Sequence, residues 1–329
     1  MSRAYNTNVR KKTITVTEEH AGKRLDVFLF DIGLGFSKRK IKSVFDAGGV
    51  KVNGTLERFA SRKGETGDKI EISFMREDLQ SQGKAKAPKI KNARDLVIYE
   101  DSTVLVFNKP PGLPSQATKD PEMPHVISAL QKDMPGKYWL CHRLDKETSG
   151  ALIVAKNKKA SEKIYAQFKY KNVRKVYYAV VSPIPKQKTW IEKSFISPIN
   201  KKSGRVDVVK SGGAPSETRF EIIKSSRADN VCLVKCEPIT GRTHQIRVHL
   251  EANGTPIVGD KVYGNGDWRD LKPGLVALGM KHHMLHANEL EFTPPDLGEP
   301  INFYAIFPKG FISMIKRTGI APPKLLKYE

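Results

Sequence analysis

The sequence predicts a mixed chain of strands and helices, in one large domain preceded by a small one, and three observations carry that expectation. At 329 residues the chain is longer than one typical domain. Short β-branched runs at 104–107, 151–155 and 174–181 alternate with amphipathic helical patterns. Between Arg76 and Arg94 periodicity stops, and Gln80, Ser81, Gly83 and Pro88 stand among lysines, the composition of a charged, mobile linker.

Residues 14–75 read as the small unit. Leu25, Phe28 and Leu29 give an amphipathic helix begun by Ala21-Gly22. Ser37 caps a second, whose inner face is Ile41, Val44 and Phe45. Residues 50–52 form a short alternating strand closed by the turn Asn53-Gly54, and 67–72 add a turn and a strand. On pattern alone the lysines of the second helix are a solvated face. The order of elements (Arg24-Leu25-Asp26, Ser37-Lys38-Arg39-Lys40-Ile41, Val50-Lys51-Val52-Asn53-Gly54, Gly67-Asp68-Lys69-Ile70) resembles the small RNA-binding module named after small-subunit ribosomal protein four. That resemblance implies RNA-backbone contacts for Lys38, Arg39, Lys40 and Lys42, which would give affinity without sequence choice.

Residues 95–309 read as the large domain. Strands at 97–101 and 104–107 meet about a turn, and the proline-stiffened loop 108–114 follows, which on this stretch alone reads as a corner rather than a pocket wall. Residues 139–154 pass from one apolar run to another through a dense polar block. Asp145, held there between segments that belong inside, needs a partner or a task. Asn157 caps a helix reaching about Tyr170, with Ala160, Ile164, Tyr165 and Phe168 inward and Lys158, Lys159, Lys163, Lys169 and Lys171 outward. A strong strand at 174–181 puts Tyr177, Ala179 and Val181 on one face, where Tyr177 is by default core packing. Further strands are expected at 190–199, 217–223, 231–236 and 285–292. Thr243 starts and Gly254 stops a helix. On it Arg247 either meets Glu251 one turn on, a pair worth about 0.2–0.5 kcal/mol, or points inward at a carboxylate. Residues 310–329 are left as a basic tail.

The formal net charge of +22, from 57 Lys and Arg against 35 Asp and Glu, is spread along the chain and favours a polyanion, most commonly nucleic acid. No apolar run approaches the roughly 20 residues of a membrane span. The N-terminus lacks the apolar core of a signal peptide. Three cysteines give no disulfide framework and fit a reducing cytoplasm. Cys232 and Cys236 read as small buried side chains, and no further ligands make them a zinc site. His282, His283 and His286 have a chelating spacing but no carboxylate or Cys beside them, so no metal is expected. Nothing reads as a coiled-coil seam, so a monomer is expected.

Three blocks point to a family. Lys109-Pro110-Pro111-Gly112-Leu113, His142-Arg143-Leu144-Asp145-Lys146-Glu147-Thr148-Ser149-Gly150 and Gly241-Arg242-Thr243-His244-Gln245-Ile246-Arg247-Val248-His249 resemble the RluA-type pseudouridine synthases. Lys175-Val176-Tyr177-Tyr178-Ala179 and Leu285-His286-Ala287 match as well, and Pro111 stands where a small residue is more usual. The resemblance implies an α+β fold, a large, mainly antiparallel mixed sheet with flanking helices and a cleft across it. It implies isomerisation of uridine in RNA, with no cofactor, by cleavage of the bond from ribose to base nitrogen and rejoining at carbon 5. Asp145 would be the nucleophile or base, Arg247 its ion-pair partner, and Tyr177 a stacking platform and acid or base. Arg143, Lys109 and Arg242 would contact substrate, Arg143 by holding the target nucleotide outside its helix. With the small module in front, large-subunit ribosomal RNA is the expected target. A transfer-RNA enzyme of the same chemistry, or a non-catalytic ribosome-assembly factor on the same fold, stays open.

Overall fold

The computed structural model describes residues 9–32, 36, 38–75, 88–118, 120–201, 203–264 and 282–320. The chain divides into two compact units, the first within residues 1–85 and the second taking the rest of the described residues.

In the first unit, strands β1 (Val9–Thr15), β2 (Val50–Val52), β3 (Thr55–Leu56) and β4 (Lys69–Met75) form a sheet in the order β1-β4-β2-β3. Helices α1 (Leu25–Asp31) and α2 (Lys38–Asp46) pack on it through Leu25, Phe28, Leu29, Ile41, Val44 and Phe45. These are the positions that helical spacing marks as apolar. The β2–β3 turn is Asn53-Gly54, both with positive φ, 51° and 82°, as a two-residue hairpin needs. Lys42 is exposed on α2. Ser37 and the side chains of Lys38, Arg39 and Lys40 lie outside what the structure describes, so the cap and those three RNA contacts stay expectations.

The second unit is built on eleven strands of one sheet. Its path runs β11 (Val208–Val209), β10 (Thr189–Ile196), β12 (Ala214–Ser226), β13 (Val231–Pro238), β9 (Arg174–Val181), β14 (Leu285–Phe292), β8 (Ser149–Ala155), β6 (Val104–Lys109), β5 (Val97–Glu100). Two short strands lie off this path, β7 (Trp139–Leu140) beside β8 and β15 (Ile301–Tyr304) beside β14. Every pairing is antiparallel except β8 with β14. The fold is therefore α+β with a mainly antiparallel mixed sheet.

β8 is buried along its whole length, which explains its unbroken apolar run. Ala151, Ile153 and Ala155 face one layer, with Ala160 and Ile164 of α4 (Lys158–Lys169). Leu152 and Val154 face the other, with Leu144, Ala287, half-buried Tyr177, and Val126 and Leu130 of α3 (Val126–Asp133). That second layer carries Asp145, next to Leu144. The Asn157 side chain accepts from the Ala160 N–H at 2.8 Å, the cap expected for α4. Tyr165 is exposed; five residues from Ala160, it turns off the i, i+4 stripe of Ala160, Ile164 and Phe168.

β8 and β14 touch over only two pairs, Ser149 with His286 and Gly150 with Ala287, before β15 takes over the edge of β14. Gly150 makes that approach possible. Its φ is +118°, and a Cβ there would lie 2.1 Å from the Ala287 carbonyl oxygen. Gly150→Ala is expected to cost about 3 kcal/mol or more, read as a lower urea midpoint. An unchanged midpoint would mean the two strands can part freely.

Two expected boundaries shift. Residues 76–87 of the linker lie outside the described residues, but its end belongs to the large unit: Ala93 is buried and its N–H donates to Asp133 at 2.7 Å. The basic tail is corrected. Residues 309–317 form helix α6 (Lys309–Arg317), with Phe311, Ile312, Met314 and Ile315 buried, because its basic residues alternate with an apolar stripe at helical spacing. Residues 321–329 are not described.

Candidate active site

Asp145 stands on the loop between β7 and β8, where Leu144 is pulled into the core and the carboxylate is left at its edge. The Ser115 hydroxyl fixes the backbone just before it, accepting from the Leu144 N–H at 3.0 Å and donating to the Leu144 carbonyl at 2.7 Å. Three side chains pin the residues after it. Glu147 pairs with His282, Thr148 Oγ1 lies 2.8 Å from His283 Nε2, and Ser149 Oγ lies 2.9 Å from His286 Nδ1. The three histidines thus hold the loop that carries Asp145, and no cluster of metal-ligating groups occurs among the described residues.

Lys109 completes this scaffold, and its place corrects the expectation of a substrate contact. It is fully buried, and its Nζ donates to the carbonyls of Pro110 (3.2 Å), Leu113 (2.8 Å) and Lys146 (3.1 Å). Three acceptors match the three protons of an ammonium. Burial pushes the amine down to about 7, opposed by the charges of Asp145 and Glu147. Lys109 therefore ties the proline loop to the residue after Asp145.

Arg247 comes from α5 (Gln245–Ala252), which starts one residue later than Thr243 as the N-cap suggests. His244 is its N-cap, at φ 54°, and Asn253 and Gly254 end it. Of the two readings of Arg247, the surface pair with Glu251 does not form; Glu251 pairs instead with Arg205, at 2.8 Å. Arg247 is buried. Its Nη1 donates to Asp145 Oδ2 at 2.9 Å, and its Nε and Nη2 donate to the two oxygens of Asp260 at 2.7 and 2.9 Å. Burial alone would lower the guanidinium's pKa, but Asp260 and then Asp145 more than offset it, and it lies above the usual arginine range. Burial would raise Asp260, but the hydrogen bonds from Arg247 outweigh it and its carboxyl is held below the usual range. The Arg247 guanidinium also lies over the Tyr263 ring, 4.9 Å from its centroid.

Tyr177 lies on β9 opposite Ala287, in the layer of Leu144, as half-buried aromatic surface. Burial first, and then the charge of Asp145, raise its phenol above the usual range, so it is protonated at neutral pH. Arg143 is exposed beside the same loop. Arg242 is exposed, its Nε donating to the Pro215 carbonyl at 3.0 Å. The structure thus brings Asp145 and Arg247 into contact, places Tyr177 within electrostatic reach of Asp145, and withdraws Lys109 into the scaffold.

Sequence reasoning missed Asp260, His244 and Tyr263. Asp260 had a legible signal, a carboxylate closing the apolar run Ile257-Val258, the same pattern that singles out Asp145. The ring that joins Tyr263 to His244 had none, because it closes across 19 residues through a hydroxyl.

Burial holds His142 at about 3, and His249, His283 and His286 at about 4. The unfolded chain takes up these protons near pH 6.5 while the folded chain refuses them, so folding stability falls as pH drops from about 6.5 toward 4. Urea midpoints measured from pH 7 to 4.5 are expected to decline across that window. A flat profile would contradict the neutral, buried histidines.

Comparison with known proteins agrees with this geometry. Residues 103–252, which contain Asp145, Tyr177 and Arg247, match the RNA pseudouridylate synthase family. The chain is 35% identical over 308 residues to "Ribosomal large subunit pseudouridine synthase C" of Escherichia coli O6:H1, covering 91% of this chain and 94% of that one. The protein of the same name from Yersinia pestis is 35% identical over 303 residues, covering 89% and 91%. Among solved structures, human RNA pseudouridylate synthase domain containing 4 aligns with a TM-score of 0.58 at 28% identity, over 70% of this chain and 97% of that one. By these relatives, and by a sheet that presents an arginine-held carboxylate, the chain belongs to the RNA pseudouridylate synthase family of isomerases.

Proposed function

We propose that the chain isomerises specific uridines of large-subunit ribosomal RNA, with Asp145 as its catalytic carboxylate. The observation that carries this reading is the Asp145–Arg247 pair. Arg247 is itself fixed by Asp260, so it holds Asp145 in one orientation without moving during the reaction. Asp145 attacks the ribose or removes a proton from it, and the bond from carbon 1′ to the base nitrogen breaks. The uracil turns on the Tyr177 ring and rejoins through carbon 5. Tyr177 keeps its proton until that stage, as its raised phenol requires, and Arg143 holds the extruded nucleotide. Arg242 contacts substrate from the loop before α5.

The name shared by the two bacterial relatives, which match over about nine-tenths of this chain, supports ribosomal RNA as the target. The net charge of +22 and the small unit's resemblance to an RNA-binding module support it too. In this reading the small unit contacts RNA backbone through Lys38, Arg39, Lys40 and Lys42, and the chain acts in the cytoplasm as a monomer, on bare RNA or on a pre-ribosomal particle. The test is to incubate the chain with transcripts of large-subunit ribosomal RNA, small-subunit ribosomal RNA and transfer RNA, and to map pseudouridine in each. Product confined to the first is expected. Product only in transfer RNA would move the target.

A further inference from the structure

We infer that His244 donates a hydrogen bond from its Nε2 to the uracil while the base is detached from its ribose, which makes it a further catalytic residue. This rests on the isomerase reading above and adds to it a group that stabilises the departing base.

The argument begins with the proton on the imidazole. His244 Nδ1 lies 2.9 Å from the hydroxyl of Tyr263. Tyr263 is fully buried, and its oxygen already accepts the Val206 N–H at 2.8 Å. The phenol proton then needs an acceptor, because a buried donor left without one is costly. Among the described residues, the acceptor within reach is Nδ1. A neutral imidazole that accepts at Nδ1 carries its proton on Nε2. The tautomer is assigned from this accounting of hydrogen bonds.

The second step is where that proton points. Nε2 lies 3.7 Å from Asp145 Oδ2, near the carboxylate but too far for a good hydrogen bond. Nε2 thus borders the space beside Asp145, where the reacting ribose and base must sit. His244 is held there by a left-handed backbone, φ 54°, that few non-glycine residues adopt. Such conformations persist at sites where geometry is part of the function. Burial, and then Arg247 and Arg143 against the opposing charges of Asp145 and Asp260, lower the imidazole below its usual range, so at neutral pH it is the neutral donor.

The third step is chemical need. When the bond from carbon 1′ to the base nitrogen breaks, its electron pair leaves with the uracil, and negative charge spreads to the ring's carbonyl oxygens. Arg247 has already committed three N–H groups to Asp145 and Asp260. A fixed neutral donor such as Nε2–H lowers the energy of the detached base as an oxyanion hole does. No proton is transferred from His244. The carbon 5 to carbon 1′ bond then forms, and the carbon 5 proton leaves to solvent. The former glycosidic nitrogen takes up a proton from solvent, so that the product is an isomer, and the hydrogen bond from Nε2 is released.

The test uses the full chain and two variants that split the imidazole's roles. His244→Asn places an amide near Nδ1, keeping the contact with Tyr263 and tolerating the left-handed backbone, but has nothing at Nε2. His244→Gln carries an N–H near Nε2. Single-turnover cleavage is measured on RNA containing uridine and on RNA containing 5-fluorouridine, whose fluorine withdraws charge from the departing ring. The Asn variant is expected to be slower on uridine by about 100-fold at unchanged RNA affinity, with Gln recovering most of the loss. The Asn penalty should shrink on 5-fluorouridine. A merely structural role would make Asn the better variant and penalise both bases equally, and either result overturns the proposal. A wild-type chain that isomerises nothing would instead remove the isomerase reading beneath it.

Discussion

Asp145→Asn is expected to bind RNA as the wild type does and to isomerise it roughly 10⁴-fold more slowly or worse, the scale seen when a catalytic nucleophile is removed. The substitution is nearly isosteric, and its amide oxygen can still accept from Arg247 Nη1, so the cleft keeps its shape. What disappears is the carboxylate's capacity to attack ribose or take a proton from it. Single-turnover pseudouridine formation gives the rate, and RNA affinity at one fixed salt concentration gives the control, since backbone binding is strongly salt-dependent. A variant within tenfold of wild type would move the chemistry to another residue.

Asp260→Asn is expected to lower folding stability by about 3–5 kcal/mol, the cost of breaking a buried ion pair from one side. Asp260 has no exposed side-chain surface, and besides Arg247 its Oδ1 accepts from the backbone N–H groups of Val262 and Tyr263 at 2.9 and 3.0 Å. An amide can satisfy part of this set but cannot balance the guanidinium's charge. The pH dependence has a definite sign. A carboxyl held below its ordinary range contributes stability that is present above that range and is lost as pH falls through the lowered folded value. The wild type should therefore shed this contribution in acid, and the gap between wild type and Asp260→Asn should narrow there. Urea midpoints for both chains, at pH 7 and in acid, check this. A variant with the wild-type midpoint at pH 7 would mean that Asp145 alone holds Arg247.

The strands and helices were legible wherever one periodicity ruled a segment. β8 read correctly because it is buried on both faces, and α1, α2 and α4 because each has one apolar stripe. Tyr165 failed because a tyrosine at a stripe's edge can face either way, and α6 failed because lysines masked its stripe. In the site, Asp145 and Arg247 were legible from their blocks, but their pairing, which spans 102 residues, was legible only through the family resemblance. Lys109 was misread for a physical reason. A lysine in a proline loop looks like an open cation, and only the fold shows three backbone carbonyls converging on it. Asp260 was overlooked although it closes an apolar run, and His244 stayed hidden because its role comes from what it touches.

The most direct test of the central claim is made on wild-type protein with large-subunit ribosomal RNA labelled with tritium at carbon 5 of its uridines. The account predicts tritium release with the RNA's length and mass otherwise unchanged, because the base is rejoined at the carbon that loses its hydrogen. Tritium retained, or free uracil released from an abasic strand, would contradict it.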